Sequence, residues 1–402
     1  MSGTEPLPAG AAPDDDRDPD EDVVDALFAR YVIAREEGRR PETVSLAAQL
    51  ESEEQRRRFL AMITEYDGLQ REVEEPVRPG AHIADRYQIE ELLAQGGMGK
   101  VFKAFDDRLQ RPVAVKMLTV ARAGRLDAEA LARQEGILMA GLRHPNIVPV
   151  FEILQVDGAC LLVMELVEGT SLDQVLRRLA ARTRVEGRPA LGPDLLRRAV
   201  AKPLPAGRHF LVKDEDDWAT ASARIILELA RTVEAAHAAG VLHRDLKPPN
   251  VMLRGDAHPV VLDFGLSASR DESEDPLGDG LFGTAAYVAP EQATSGLTGC
   301  DPRTDVYQLG LLLYEMLTLE RAFPGSEVLD VLDDVSEGRR KPLSVAAPDV
   351  PEALRTIAER ALTTNPDMRV PTVAALREEL EGYLTTPPSS GLIDRLRRKL
   401  GG

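Results

Sequence analysis

Apolar and polar positions follow two rhythms along this chain, and the change from one to the other divides it. Between residues 22 and 80 the spacing is helical. Val23, Val24, Leu27, Phe28 and Tyr31 recur with a period near 3.6, as do Phe59, Leu60, Ile63 and Tyr66. Ser52, with Gln55 three positions later, predicts a capping box that opens the second of these helices. From Tyr87 to about residue 168 the rhythm shortens to two: residues 88–93, 100–105, 113–118, 148–154 and 160–165 read as strands, with one helix over 128–142 among them. From residue 221 the helical period returns, over 221–239, 303–319, 351–363 and 371–384. A strand-rich stretch followed by a helix-rich one predicts an α+β domain in two lobes. No internal repeat at a period of about 20–50 residues is present, which removes solenoids and propellers.

Three stretches stand outside this pattern. Residues 1–21, rich in Pro, Gly, Ala and Asp, are expected to be disordered, and they open an arm (1–80) holding 20 Asp/Glu against 10 Arg. The helical part of that arm, 22–80, reads as a solvated acidic appendage or a docking module. Residues 180–217 interrupt the helical half with Arg182, Arg184, Arg188, Arg197, Arg198, Pro193, Pro203 and Pro205 and little periodicity. They read as a partly irregular insertion between two helices, a tolerated loop or a regulatory contact. A Pro/Ser linker opens the segment 385–402, whose basic end places Leu392, Leu396 and Leu400 on one helical face. Ten residues make a marginal helix in water, so a frayed end competes with a membrane or acidic-arm contact.

Composition narrows the function classes. Hydrophobic residues at 43% and charged residues at 29% are globular values, so disorder throughout is excluded. Acidic residues number 67 and basic 49, giving 49 − 67 = −18, a surface that repels a phosphate backbone and argues against nucleic-acid partners. No apolar run reaches the length of a membrane span, and the N-terminus lacks a basic start and an apolar core. Two cysteines, Cys160 and Cys300, make no disulfide framework or metal motif. A reducing, cytoplasmic location is the expectation.

The chemistry begins at Ala94-Gln95-Gly96-Gly97-Met98-Gly99. A dinucleotide fingerprint would open a helix here, but Lys100-Val101-Phe102-Lys103 alternates as a strand. A Walker A loop would need Gly at position 94 and Ser or Thr at 101, where this chain has Ala94 and Val101. What remains is a glycine turn between antiparallel strands, whose backbone N–H groups approach ATP phosphates without Cβ obstruction. On the next strand, Val113-Ala114-Val115-Lys116 sends Ala114 and Lys116 to one face and the valines to the other. Glu135 on the following helix is the candidate counter-charge for Lys116.

The most specific run is His243-Arg244-Asp245-Leu246-Lys247-Pro248-Pro249-Asn250. Transfer of a phosphoryl group to a hydroxyl needs a carboxylate to accept that proton, a cation beside the moving phosphate and a neutral oxygen ligand for Mg²⁺. Asp245, Lys247 and Asn250 supply these in order. Thirteen residues later, Asp263-Phe264-Gly265 brings a hard-oxygen ligand for the main metal ion.

With these motifs the chain resembles the eukaryotic-type protein kinases, in particular the bacterial serine/threonine branch with its QGGMG loop. The resemblance covers residues 83–384 and implies a two-lobed protein-kinase fold, β-rich then helical, preceded by the small acidic helical segment. It implies ATP and Mg²⁺, protein substrates and a role in signal transduction. Residues 94–99 would cover the phosphates, and Lys116 and Glu135 would pair. Met164 falls at the gatekeeper, Glu165 to Val167 at the adenine hinge, and Val101, Ala114 and Met252 around the adenine ring. Glu291 of Ala289-Pro290-Glu291 would pair with Arg369, and Asp305 would anchor the catalytic loop from below. Thr284, with Lys247, favours Ser/Thr acceptors over Tyr.

The chain departs from the family pattern in three places. Ala94 replaces the first loop glycine, the insertion lengthens the path from Met164 to His243, and the activation segment is acidic. The resemblance implies that Arg244 receives a phosphate on that segment; Ser267, Ser269 and Ser273 are the candidate phosphorylation sites, while Asp271, Glu272, Glu274, Asp275 and Asp279 could partly stand in for a phosphate. A non-catalytic scaffold on the same fold would lack Lys116, Asp245 or Asp263; all three are present. A small-molecule kinase is disfavoured by Ala289-Pro290-Glu291 and Gly283-Thr284. No pattern names a particular substrate, an upstream signal or an oligomeric state.

Overall fold

Pro19 stands at the first position of a helix, where its missing N–H costs nothing and its fixed φ suits the turn. This helix, α1 (Pro19–Glu36), takes in the last three residues of the segment expected to be disordered. It forms a small compact unit, ending at Pro76, with α2 (Thr43–Ala47) and α3 (Glu53–Glu72). The computed structural model describes residues 19–36, 43–47, 49–50, 52–72, 77–96, 99–118, 141–156, 159–186, 191–200, 209–264, 285–325 and 327–385. Val24, Leu27, Tyr31, Leu50, Phe59 and Ile63 are buried together, and the Phe28 and Tyr66 rings meet edge-on at 5.9 Å. Val23 and Leu60, one position off that face, are 48% and 43% exposed, so they lie outside this core. The capping box forms: Ser52 N–H donates to Gln55 Oε1 at 3.0 Å, and Gln55 N–H donates to Ser52 Oγ at 3.1 Å.

The second unit starts with strands. β1 (His82–Ile83), β2 (Tyr87–Gly96), β3 (Gly99–Asp106), β4 (Arg111–Leu118), β5 (Val150–Val156) and β6 (Ala159–Glu165) pair antiparallel in the order β1-β2-β3-β4-β6-β5. Alternation sorts the two faces. Phe102, Ala104, Val113, Val115, Leu161 and Val163 pack with Val77, Ile83, Tyr87 and Ile89, while Ala114, Leu162 and Met164 turn the other way and join the core of the helical lobe. The fifth strand starts at Val150 rather than residue 148, because the Val148 N–H donates instead to the Val261 carbonyl at 3.1 Å. The helix expected over 128–142 lies outside the described residues, except for its last two positions.

The helical lobe contains α4 (Leu172–Glu186), α5 (Pro193–Val200), α6 (Trp218–Ala238), α7 (Pro290–Ser295), α8 (Pro302–Thr318), α9 (Val328–Glu337), α10 (Leu343–Ala346), α11 (Glu352–Ala361) and α12 (Val373–Thr385). A small sheet, β7 (Gly169–Ser171), β8 (Val251–Arg254) and β9 (Pro259–Val261), lies in that order along it. α6 starts at Asp217, whose side chain accepts from the Thr220 N–H at 2.7 Å, and the adjacent Trp218 indole donates to the Met316 carbonyl. α8 is buried nearly all round. A side chain at Gly310 would meet the Ala361 Cβ at 3.0 Å, so glycine sets how closely α8 and α11 approach. The described residues of the insertion are more regular than its sequence suggests: α4 continues to Glu186, and α5 buries Leu196, Ala199 and Val200. Among the described residues no helix is long and apolar enough to cross a membrane.

One buried ion pair joins parts of this lobe 78 positions apart. Arg369, with no exposed side-chain surface, donates to both oxygens of Glu291 at 2.8 and 2.9 Å, and also to the carbonyls of Thr363, Arg303 and Thr364. Burial on its own would raise the Glu291 carboxyl; the Arg369 hydrogen bonds outweigh it and hold the group below its ordinary value. That stabilisation is present at neutral pH and is lost as the pH falls through the depressed value. Arg369→Met is expected to cost about 3–5 kcal/mol of unfolding free energy, because it strands a half-buried carboxylate. Urea denaturation at pH 7 measures the loss, and the difference from wild type should shrink on acidification.

Candidate active site

The β2–β3 hairpin closes with Ala94 opposite Val101, Gln95 opposite Lys100 and Gly96 opposite Gly99. Gly99 sits at φ +123°, a conformation that L side chains rarely adopt, so the turn needs glycine there. Ala94 and Gln95 are exposed on this hairpin; Gly97 and Met98 lie outside the described residues.

Val101 and Lys116 are register partners on β3 and β4, and Ala114 pairs with Met164 on β6. Ala114 and Met164 are buried in one core cluster, against which Val101, Val167 and Met252 pack half-buried. The residues expected around an adenine ring therefore belong to, or pack against, the same hydrophobic core. Lys116 is 3% exposed, and its Nζ lies 2.9 Å from Asp263 Oδ2. Burying an ammonium requires such a partner. Glu135, the partner expected from sequence, lies outside the described residues, as do Thr284, Ser267, Ser269 and Ser273.

The loop carrying Asp245 is held from beneath. Asp305, fully buried on α8, accepts from the His243 and Arg244 backbone N–H groups at 2.9 and 2.7 Å and lies 2.6 Å from His237 Nε2. Burial would raise its carboxyl, but the His237 contact, the nearby His243 and the amide donors together lower it. Gln308, three residues on along α8, accepts from the Leu246 N–H at 2.8 Å and donates to the Arg244 carbonyl at 2.9 Å. Gln292 donates to the same carbonyl at 2.9 Å. So fixed, Arg244 holds φ of +64°, a left-handed backbone that costs a non-glycine residue about 1–2 kcal/mol, and Asp263 holds a similar φ of +59°.

Above this frame the polar side chains converge. Lys247 Nζ is 3.0 Å from Asp245 Oδ1 and 2.9 Å from Oδ2. Asn250 Nδ2 donates to the Asp245 carbonyl at 2.8 Å and to its Oδ2 at 3.0 Å. The Leu262 N–H donates to the Asn250 carbonyl at 2.9 Å, which brings Asp263 to the same spot. His243 reaches the Leu262 carbonyl through Nε2 at 2.9 Å, and its ring lies 4.7 Å from that of Phe264. With its N–H groups engaged by Asp245, the Asn250 amide has its carbonyl oxygen left to offer a hard cation, beside the Asp263 carboxylate.

Sequence reasoning assigned no role to His237, Gln292 or Gln308. Gln308 was findable, since a residue three positions after Asp305 on a helix shares its face. Nothing local marks His237, which meets Asp305 across 68 positions.

Residues 87–380 match the family model for the protein kinase domain. The serine/threonine-protein kinase PknA of Mycobacterium tuberculosis is 33% identical over 297 residues, 73% of this chain and 60% of that protein. A probable serine/threonine-protein kinase of Streptomyces coelicolor, SCO3848, is 32% identical over 79% of this chain and 42% of its own length. PknE of Mycobacterium bovis is 29% identical over 78% and 48%. The chain thus spans at most 60% of the length of these relatives.

Asp305→Ala would leave two buried backbone N–H groups without an acceptor, at a cost of roughly 2–6 kcal/mol. Faster amide hydrogen exchange at His243 and Arg244, together with a lower denaturation midpoint, is the expected readout.

Proposed function

The chain belongs to the protein kinase domain family, and from that premise we propose that it is a serine/threonine protein kinase. It would transfer the γ-phosphoryl group of ATP to Ser or Thr hydroxyls of protein substrates, its own activation segment among them. The observation that carries the reading is the convergence of Lys116, Asp263, Asn250, Asp245 and Lys247, through contacts of 2.8 to 3.0 Å, from five positions spread over nearly 150 residues.

The family uses ATP together with a divalent cation, and the donor set fits one. Asn250 has an amide oxygen to give and Asp263 a carboxylate, both hard ligands. We take the ion to be Mg²⁺, which when bound supplies positive charge at the phosphate oxygens. Lys116 would bind the α- and β-phosphates, with Asp263 neutralising it while the site is empty. The backbone of residues 94–99 would cover the phosphates, and the hinge from Glu165 to Val167 would bind the adenine edge.

Asp245 would accept the proton of the attacking hydroxyl. Its carboxylate is aimed by the Asn250 amide and the Lys247 ammonium, so little reorganisation is needed at the moment of transfer. Lys247 would then neutralise charge on the moving phosphoryl group, and Thr284 would join it in favouring Ser and Thr. Arg244 has a buried Nε with no hydrogen-bond partner among the described residues, which suits a phosphate on Ser267, Ser269 or Ser273. The acidic net charge favours protein over nucleic-acid partners, and a cytoplasmic site of action suits a chain with only two cysteines.

Asp245→Asn is expected to lower phosphoryl transfer to a basic protein substrate by about 10²–10⁴-fold. Nucleotide affinity by calorimetry should stay within a few-fold of wild type, since Asp245 would contact the acceptor. Transfer at the wild-type rate would exclude Asp245 as the base.

A further inference from the structure

The β8–β9 hairpin carries the floor of the proposed nucleotide site. Asn250 directly precedes β8, Met252 lies within it, and Asp263 follows β9 by two residues. Arg254 is the last residue of β8. Its side chain, 20% exposed, donates from Nη2 to Glu165 Oε1 at 3.1 Å and from Nη1 to the Pro145 carbonyl at 3.3 Å. Glu165 ends β6 and begins the hinge, and its own N–H is fixed to the Pro149 carbonyl at 3.0 Å. One guanidinium therefore spans the gap between floor and hinge.

The turn at Pro145 is part of the same frame. The Val261 N–H donates to the Asn146 carbonyl at 2.8 Å, and Ile147 bridges Val261 in parallel. The far edge of the hairpin is held by the insertion: the Leu211 N–H donates to the Asp256 carbonyl at 2.8 Å in the β8–β9 turn. The Thr170 hydroxyl, on the strand that pairs with β8, donates to the Val200 carbonyl at the end of α5. Asp216 locks the returning chain, accepting from the Lys213 N–H and from Arg224, both at 2.7 Å.

We infer that Arg254 is a positioning residue for the nucleotide, joining Glu165 at the hinge to β8 so that the height of the adenine slot is fixed, with the insertion holding the opposite edge. The inference rests on the kinase reading above. Its effect falls on nucleotide binding rather than on transfer, because Arg254 adjoins the floor while Asp245 and Lys247 hold each other independently of it. A partly exposed pair contributes modestly, so the effect is moderate.

In the full chain, Arg254→Ala is expected to weaken ADP binding by calorimetry about 3–10-fold and to raise KM for ATP by a similar factor, with kcat within about two-fold of wild type. The charge swap, Arg254→Glu with Glu165→Arg, should recover most of the loss seen in either single variant, an outcome that generic destabilisation would not produce. A folded Arg254→Ala chain with unchanged ADP affinity would overturn the inference. So would a loss confined to kcat, or a swap no better than its singles. Absence of transfer by the wild-type chain would instead reject the kinase reading, and the ADP titration would still decide the role of Arg254.

Discussion

A carboxylate with no exposed surface, Asp305, determines the backbone on which the rest of the site stands. Left alone, a charge at that depth would be expelled or neutralised. Here two consecutive amides and an imidazole surround it, and Arg244, one of the two amide donors, holds a left-handed conformation. The hydrogen bonds thus offset both the strain and the cost of burial. The anchoring helix α8 is buried on nearly every side, so the carboxylate cannot shift to relieve either. Rigidity at Asp245 is in this way inherited from packing some distance below it.

Above that support the site is polar and economical. Asp245, Asn250 and Lys247 satisfy one another, and Lys116 with Asp263 forms a second pair next to them. Neither pair is buried with an unmatched charge. An incoming triphosphate with its cation can exchange partners with these groups rather than having to desolvate them afresh, which keeps the cost of binding low.

Legibility in the sequence followed the range of the forces involved. Strands β2, β3, β4 and β6 were readable because alternation is local, and Lys116, Asp245, Asn250 and Asp263 because their chemistry admits few substitutes. The supporting shell was harder. His237 and Gln292 act through contacts 68 and 48 positions away, which no spacing rule reveals. α5 was hidden by its prolines and arginines, yet Pro193 stands where a helix accepts proline, and Leu196, Ala199 and Val200 mark the buried face. Two turns are too short for a period to stand out. α9 escaped for a related reason: only Val331 and Val335 are buried along it, while Leu329 is 60% exposed.

The chain has a single tryptophan, and its indole is bonded to the Met316 carbonyl, deep between α6 and α8. Its fluorescence is therefore a built-in spectroscopic probe of one lobe. Emission will report the melting of the helical half and stay silent while the sheet half opens, so a disagreement between fluorescence and far-ultraviolet dichroism would reveal that the two halves do not unfold in concert.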